Sequence, residues 1–395
     1  MIWIMRNLVL ILVVFATLYF SGVASAQQGE NRGFNLIVVG DPQPQTEAQM
    51  ATLEREIIPQ IGDIVEEYRA ESSLPIAIIL TGDVVWDTMK FLPRVKRAFE
   101  SLGVPVYAVI GNHDHDTKRR RDQRRAEQCF VETFGTRNQA FMLGETLFLT
   151  FDNIEYRDRT SYDIGVDAEQ LIWLSEQMEG VEKDVRVAVC MHALAAGRSG
   201  GVRPYAKPIV DILGERDIHF ITGHHHNHGT YAFAPNVIEH NVAQVSGNLW
   251  FAPICSDGTP RGVFCIEERN GEWRWHHRLL GKRADEVLIV WSEGRVKDNE
   301  EYVVVKAIGW DSEWRVEWME NGEARGAMEQ IAILDPDYLY YVENKADYRK
   351  KYMERLRKSA HPHSHYFRLR RTVPESEIRI VATDRFGREY VAVVE

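Results

Sequence analysis

Cysteine is scarce in this sequence of 395 residues: there are four, and no two of them form a CxxC pair. That spacing excludes the zinc-ribbon and thioredoxin-like classes of protein, which need paired cysteines. Cys255 and Cys265 flank the turn signal Asp257-Gly258. They are therefore either a disulfide between adjacent strands or two free thiols. Cys190 ends an apolar run, and we expect it to be a buried, small hydrophobic residue.

An excess of positive charge is also missing, since 47 Lys and Arg stand against 58 Asp and Glu, for a formal net charge of −11. Binding to a nucleic-acid backbone depends mainly on clustered Lys and Arg, so we expect no nucleic-acid scaffold as a partner. The one dense basic segment, Lys118–Arg125, is either a solvated helix face or a patch that steers an anionic substrate. A content of 45% hydrophobic and 27% charged residues excludes disorder and collagen-like repeats.

A single long hydrophobic run is present, near the N-terminus. Arg6 precedes the apolar segment Leu8–Phe20, and the small residues Val23-Ala24-Ser25-Ala26 follow it. This pattern is typical of a secretory signal peptide cleaved after Ala26. The alternative is an uncleaved anchor, for which the run is short. We therefore expect an exported protein, periplasmic or secreted, that contacts the membrane only through its signal segment before cleavage.

Between residues 34 and 225, apolar runs of strand length alternate with amphipathic stretches. This alternation predicts an α/β fold with buried sheets. The predicted strands are Phe34–Gly40, Ile76–Thr81, Val104–Ile110, Thr146–Phe151, Val185–Met191 and Ile218–Gly223. The predicted helices are Glu47–Tyr68, Lys90–Ser101, Arg119–Phe134, Ala168–Met178 and Lys207–Leu213.

After about Leu280 the pattern changes to short alternating runs that are separated by turn signals such as Asn321-Gly322. These runs predict a small all-β sandwich. We therefore divide the chain into a signal peptide (1–26), a catalytic domain (27–283) and a C-terminal β-sandwich domain (284–395).

Asp, Asn and His residues follow five predicted strands, at the point where each strand ends. In an α/β sheet, loops beyond the carboxyl ends of the strands carry the chemistry, and five such loops in order are hard to reach by chance. The glycines before three of these residues permit tight turns between strand and loop. The segments are Asp41-Pro42-Gln43, Gly82-Asp83, Gly111-Asn112-His113-Asp114, His192 and Gly223-His224-His225-His226.

The donor types match a pair of metal ions. Two cations about 3.5–4 Å apart need a bridging carboxylate together with nitrogen and oxygen donors. Carboxylates with imidazoles and no thiolate suit Mn, Fe, Zn or Co. The sequence therefore predicts two divalent or trivalent metal ions as cofactors.

In their order and spacing, these five segments resemble the motifs of the calcineurin-like metallophosphoesterases. Gly247–Val263 and Asp384-Arg385-Phe386-Gly387 resemble a bacterial, exported subgroup of that family with an additional C-terminal β domain. The resemblance implies a sandwich of two β-sheets flanked by helices, followed by a small all-β sandwich. No candidate ligand follows residue 284, so we expect the hydrolytic chemistry to be independent of the β domain.

The resemblance also implies roles for the residues. Asp41 and Gln43 would hold the first metal, to which His226 would return, and Asp83 would bridge the two metals. The second metal would be held by Asn112, His192 and His224. His113 resembles the non-ligand histidine that assists at the leaving group or the phosphate oxygens, and Asp114 would orient its imidazole.

Two positions depart from the family pattern. Gln43 stands where the first motif has a histidine, and an amide oxygen is a weaker donor than an imidazole. Trp86 occupies the region where purple acid phosphatases carry a ligating tyrosine, so we do not expect a purple Fe(III) enzyme.

Three assignments remain open in the sequence. The His-rich loop could instead use the register His226 and His228. The run His361-Pro362-His363-Ser364-His365 is either a solvated strand end or a separate metal site. Arg198 and Arg203 either contact a substrate phosphate, for which bidentate guanidinium contact is suited, or form surface salt bridges.

These patterns together predict an exported phosphoesterase in which a metal-activated hydroxide attacks phosphorus while the cations stabilise charge on the phosphate oxygens. The substrate is a phosphate ester, and the sequence leaves open whether it is a monoester or a diester. The rival hypothesis is a non-catalytic, envelope-associated binding protein with a degenerate metal site. The complete set of candidate ligands, with His113 beside them, argues against that rival.

Overall fold

The computed structural model of the protein describes residues 32–196, 200–344, 356 and 360–394. The predicted signal segment 1–26 lies outside these residues. No helix within the described ranges is long and apolar enough to cross a membrane.

Twenty-one strands are present in the described part of the chain. The first eleven are β1 (Gly33–Val39), β2 (Ile76–Leu80), β3 (Val106–Ala108), β4 (Gln139–Leu143), β5 (Thr146–Phe151), β6 (Ile154–Tyr156), β7 (Tyr162–Ile164), β8 (Val187–Met191), β9 (Ile218–Thr222), β10 (Gly229–Ala234) and β11 (Val237–Asn241). The others are β12 (Gly262–Arg269), β13 (Glu272–Leu279), β14 (Leu288–Trp291), β15 (Val303–Ala307), β16 (Arg315–Glu320), β17 (Glu323–Ala327), β18 (Glu329–Ile333), β19 (His363–Leu369), β20 (Ile378–Thr383) and β21 (Glu389–Val394).

Helices connect the strands of the first domain, and one helix lies in the second. They are α1 (Glu47–Thr52), α2 (Ile58–Glu71), α3 (Leu92–Glu100), α4 (Gln123–Ala126), α5 (Gln128–Phe134), α6 (Ala168–Gln177), α7 (Lys207–Leu213) and α8 (Pro336–Asn344). A π-helical turn, Leu53–Ile57, joins α1 to α2. Thr46 starts α1 with a capping box, in which its side chain accepts a hydrogen bond from the backbone N–H of Gln49 and the Gln49 side chain accepts one from the backbone N–H of Thr46.

Two sheets form the first domain, in the orders β13-β12-β1-β2-β3 and β10-β11-β9-β8-β5-β4. β1, β2 and β3 pair in parallel, as do β5, β8, β9 and β11. The predicted α/β class is therefore confirmed.

The two sheets pack face to face with helices outside. Along β1, Phe34, Leu36 and Val38 enter the core between the sheets, whereas Ile37 and Val39 pack with the residues of α2 and α3. This period of two is expected for a strand that is buried on both faces. The implied sandwich of two sheets flanked by helices is confirmed.

The second domain contains two four-stranded sheets, β14-β15-β19-β18 and β17-β16-β20-β21. One apolar cluster, which includes Val303, Val305, Ile378 and Ile380, lies between them. The predicted all-β sandwich is confirmed in this region.

The structure decides the state of the cysteines: all four thiols are free. Cys265 lies on β12 opposite Ile37 and His276, whereas Cys255 lies in a loop with its Sγ 3.6 Å from the carbonyl oxygen of Gln244. The possible disulfide between them is therefore wrong, because the two residues are not cross-strand neighbours. Cys190 is fully buried between the two sheets, as predicted.

Candidate metal centre

The five chain segments predicted from the sequence meet at one edge of the two-sheet sandwich. Two groups of side chains offer ligand atoms that lie within 4.8 Å of one another. The groups are Asp83, His192 and His224, and Asp41, Asp83 and His226. Asp83 belongs to both, which is the geometry that a bridging carboxylate needs.

Asp83 is buried and contacted from three sides. Its Oδ2 accepts a hydrogen bond of 2.5 Å from Nε2 of Gln43, and its Oδ1 accepts one of 2.8 Å from the backbone N–H of His113. Nε2 of His192 lies 3.4 Å from Oδ1. Burial raises the pKa of this carboxyl, but the combined effect of His192 and His113 lowers it by more than burial raises it, so the net shift of the pKa is downward. Asp83 is therefore an anion at neutral pH.

His192, Asn112 and His224 lie together on one side of Asp83. Nδ1 of His192 lies 2.9 Å from the carbonyl oxygen of Thr81, which leaves Nε2 facing Oδ1 of Asn112 at 3.1 Å and Nδ1 of His224 at 3.1 Å. Burial lowers the pKa of His192, but Asp83 raises it to about 10. Burial and the neighbouring His192 lower the pKa of His224 to about 2. Nitrogen and oxygen donors thus converge beside the shared carboxylate of Asp83.

Asp41, Gln43 and His226 lie on the other side of Asp83. Oδ2 of Asp41 is 3.1 Å from Nε2 of His226 and accepts a hydrogen bond of 3.1 Å from the backbone N–H of His224. Oε1 of Gln43 is buried and accepts no hydrogen bond from the described residues. Because a buried acceptor without a donor is costly, this amide oxygen fits a role as a metal ligand.

The backbone at this edge is strained, and close approaches require glycine there. Asp41, Gln43, Asp83, His224 and His226 all have positive φ, between 35° and 67°. Such conformations cost about 1–3 kcal/mol each in non-glycine residues and are concentrated at functional sites. A Cβ on Gly111 would overlap the backbone nitrogen of Asp83, and one on Gly223 would overlap Oδ1 of Asp41.

His113 lines the cleft beside Asp83 and is held by two neighbours. Its ring stacks on Trp86, with centroids 4.1 Å apart and an interplanar angle of 22°. Its Nδ1 lies 3.1 Å from Oδ1 of Asp87. The predicted orienting role of Asp114 is therefore wrong. The Asp114 carboxylate is buried and instead accepts hydrogen bonds from the backbone N–H groups of Val84, Val85 and Gly111.

Two further residues that the sequence analysis did not single out support this arrangement. Nη2 of Arg120 donates to Oδ1 of Asp87 at 2.6 Å and to the carbonyl oxygen of Asn112 at 2.9 Å. The hydroxyl of Tyr156 donates to the same carbonyl at 2.7 Å. Arg120 belongs to the basic run 118–125, but it is buried. The sequence alone did not show that Arg120, unlike the other basic residues of this run, supports the site.

The clustered donors open into a cleft of about 400 Å³. Its described lining includes both domains: Asp83, Trp86, Asn112, His113, Tyr162, His224, His225, His226, Asn227, Gln244, Asn248, Leu249, Ser256, Leu356 and His361. Leu356 and His361 follow residue 284. Residues of the β domain therefore form part of the cleft wall, although neither belongs to a ligand group, and the independence of the hydrolytic chemistry from the β domain stays a prediction.

The structure also decides several alternatives. His228 belongs to neither ligand group; its ring packs 5.4 Å from Phe264 and 5.3 Å from His277. The register His226 and His228 is therefore wrong. Among the described residues, the groups able to hold a metal do not include His363 or His365.

The two arginines predicted to contact substrate phosphate have separate outcomes. Arg203 does not line the cleft: its Nε donates to the carbonyl oxygen of Ala196 at 2.6 Å. The Arg203 side chain therefore binds the backbone of its own loop. The predicted contact with a substrate phosphate is wrong for this residue. Arg198 lies outside the described residues.

Comparison with known proteins agrees with this geometry. Residues 34–228 match the family "Calcineurin-like phosphoesterase", and residues 239–390 match "C terminal of Calcineurin-like phosphoesterase". The chain belongs to the calcineurin-like phosphoesterases, with the C-terminal domain of that family, and is a metal-dependent phosphoesterase hydrolase. No curated protein matches it.

Several solved structures are similar to the chain at low identity. A dimetal phosphatase from Danio rerio is 13% identical over 63% of this chain and 100% of its own, with a TM-score of 0.41. A 5'-nucleotidase from Candida albicans is 11% identical over 64% of this chain and 52% of its own, with a TM-score of 0.39. A purple acid phosphatase from yellow lupin (Lupinus luteus) seeds is 12% identical over 72% and 52%, with a TM-score of 0.40. The chain spans about half the length of the last two.

Proposed function

We propose that this protein hydrolyses phosphate esters with a pair of metal ions that share Asp83. The first ion would be held by Asp41, Gln43, Asp83 and His226, and the second by Asp83, Asn112, His192 and His224. The observation that carries the proposal is the pair of ligand groups within 4.8 Å, with one carboxylate in both. Such a metal pair, of Mn, Fe, Zn or Co, supplies Lewis acidity and lowers the pKa of a coordinated water.

His113 is the residue best placed to move a proton. With Nδ1 engaged by Asp87, Nε2 is the ring nitrogen left for the cleft. Stacking on Trp86 fixes the ring plane. We assign His113 to protonation of the leaving oxygen. Asp114 supports the site indirectly, by holding the backbone of the two loops that carry Asp83 and His113.

The preferred substrate in this proposal is a phosphodiester. None of the described residues that line the cleft is Lys or Arg, so the described lining offers no side-chain cation to a monoester dianion. A diester carries one negative charge and needs room for a second substituent. The cleft of about 400 Å³, with Tyr162, Asn248 and His361 around it, provides that room.

The test is hydrolysis by the metal-stripped full chain after reconstitution with Mn, Zn, Co or Fe, using bis(p-nitrophenyl) phosphate and p-nitrophenyl phosphate. We expect turnover that requires metal, with the higher kcat/KM on the diester. Asp41→Asn should lose turnover, whereas the control Asp63→Asn, an exposed residue of α2, should keep it. A higher kcat/KM on the monoester would refute the diester preference, and no turnover with any metal would refute the activity.

We also propose that the protein is exported and that the mature chain begins at Gln27. The support is the charged, apolar and small-residue pattern of residues 1–26. N-terminal sequencing of the protein from fractionated cells tests this. A cell-associated protein that retains Met1 would refute it.

A further inference from the structure

One wall of the cleft is built by a loop that pairs with other strands only through isolated bridges. Gln244, Asn248, Leu249 and Ser256 from residues 242–261 line the cleft. Within this segment the ladder pairing is limited to isolated bridges, such as Asn248 with Ala252. The position of the wall must therefore come from tertiary contacts.

Nε1 of Trp250 in this loop lies 3.0 Å from the carbonyl oxygen of Pro42 in the first domain, and another contact comes from the β domain. Nδ2 of Asn248 donates a hydrogen bond of 2.8 Å to the hydroxyl of Tyr338 on α8. Asn248 is 6% exposed and Tyr338 is 1% exposed. The backbone N–H of Asn248 is turned inward, toward the carbonyl oxygens of Ala252 and Ile254 at 3.0 Å each. The contact with Tyr338 therefore fixes the orientation of the Asn248 amide.

Tyr338 is itself held by a buried carboxylate. Oδ1 of Asp335 accepts a hydrogen bond of 2.6 Å from the backbone N–H of Tyr338. Oδ2 of Asp335 accepts from Nζ of Lys306 at 2.8 Å and from the hydroxyl of Tyr366 at 2.8 Å. The Lys306 and Asp335 side chains are both fully buried. Breaking a buried ion pair of this kind leaves an uncompensated charge, so the position of Tyr338 is tied to that of Lys306 and Asp335.

The same network reaches the far end of the loop. The hydroxyl of Tyr366 lies 2.9 Å from the carbonyl oxygen of Asp257. A Cβ on Gly258 would overlap both Oδ2 of Asp335 and that hydroxyl. The loop is thus held by the β domain at Asn248 and again at Asp257–Gly258.

We propose that Asn248 contacts the part of the substrate that does not react, and that Tyr338 is the positioning residue that aims its amide. Nδ2 carries two hydrogens and gives one to Tyr338, so the second hydrogen remains for a polar group on the second ester substituent. This inference rests on the proposed phosphodiester hydrolysis. It assigns a function to the β domain. The described residues of this domain contribute no metal ligand, but the domain positions the loop that forms the substrate-binding wall of the cleft.

The experiment compares single and double variants of the metal-reconstituted full chain with bis(p-nitrophenyl) phosphate. Tyr338→Phe removes one hydroxyl, and Tyr340→Phe, which removes an exposed hydroxyl from the same helix, is the matched control. We expect Tyr338→Phe to raise KM about three- to tenfold, the equivalent of one hydrogen bond, with kcat and metal content unchanged. Tyr340→Phe should match the wild type.

The double variant separates positioning from a general structural effect. In the background of Asn248→Ala, Tyr338→Phe should have no further effect on KM, because its target is gone. Additive effects, an unchanged KM in Tyr338→Phe, or equal losses in both tyrosine variants would overturn the inference. If the wild type itself shows no turnover, the proposed function has failed rather than this positioning role.

Discussion

The carboxylate of Asp87 lies 3.1 Å from Nδ1 of His113, and this contact determines which ring nitrogen faces the cleft. Asp87 is fixed in turn by Nη2 of Arg120 at 2.6 Å. A carboxylate on one imidazole nitrogen sets the tautomer and raises the basicity of the other. The pair therefore has the arrangement of a general acid and its orienting group.

His113→Asn tests the acid. General acid catalysis contributes about 10²–10⁴-fold, and the gain is largest where the leaving oxygen is a poor leaving group. We expect the variant to slow hydrolysis of an alkyl phosphate ester by that factor and that of a nitrophenyl ester far less, with both metals retained. Equal losses in kcat/KM for the two esters would mean that His113 stabilises phosphate oxygens instead, and loss of metal would make it a ligand.

Asp87→Asn tests the orienting group. An amide removes the negative charge that stabilises the protonated imidazolium, so the acidic proton that His113 would give up from Nε2 is lost. We expect the same dependence on the leaving group as in His113→Asn, with a loss on the alkyl ester of about 10- to 100-fold. Asp63→Asn serves as the control. A loss of the same size on the nitrophenyl ester would argue against the role of Asp87 in protonation.

Gly111→Ala tests the close approach between the two loops. The added methyl group would overlap the backbone nitrogen of Asp83, so it must displace the shared carboxylate. Gly165→Ala is the matched control, because a Cβ there meets no atom within 4 Å. We expect Gly111→Ala to bind less metal and to lose at least tenfold in kcat, whereas Gly165→Ala keeps both. Normal metal content in Gly111→Ala would contradict this packing.

Glu127 predicts a dependence of stability on pH that arises away from the metal ligands. Burial, with a contribution from Asp152, raises the pKa of Glu127 to about 7 from an ordinary value of 4.5. The folded state therefore binds more protons than the unfolded state between those values, and stability falls as pH rises through that window.

Glu127→Gln should remove this dependence. We expect it to raise the melting temperature by about 2–4 °C at pH 8 and to leave it unchanged near pH 3, where the wild-type carboxyl is protonated in both the folded and the unfolded state. Glu176→Gln, at an exposed position, should change neither. Calorimetry at the two pH values decides, and an equal shift at both would show that charge on Glu127 is not the cause.

Much of the first domain follows from local patterns. β5 and α7 have the bounds that the sequence predicts, because uninterrupted β-rich and amphipathic runs define them. The five strand ends carry the candidate ligands because each lies directly beyond a buried parallel strand. The long helix predicted over residues 47–68 is instead divided by the turn Leu53–Ile57, which the periodicity does not reveal.

The hairpin β12–β13 was missed, although its turn has a signature in the sequence. Asn270 and Gly271 both have positive φ, at 53° and 81°, as a primed hairpin turn requires. The hairpin then pairs with β1 across more than 200 residues, for example Gly33 with Arg269. Such a long-range pairing depends on tertiary packing, which the sequence pattern does not contain.

The choice between Asp87 and Asp114 could not be made from spacing. Both carboxylates lie in the motifs near His113, and the side chain that reaches the imidazole depends on loop geometry. The same holds for Tyr338 and His361, which approach the site from the other domain. Their positions follow from how the domains pack.

The measurement that tests the central claim most directly is the number of metal ions bound by the full chain and by Asp83→Asn. Elemental analysis after reconstitution should give two ions per chain for the wild type and fewer for the variant, with turnover lost. An amide at this position removes the negative charge between the two cations. Two tightly held ions in Asp83→Asn, or a single ion in a fully active wild type, would contradict a metal pair that shares this carboxylate.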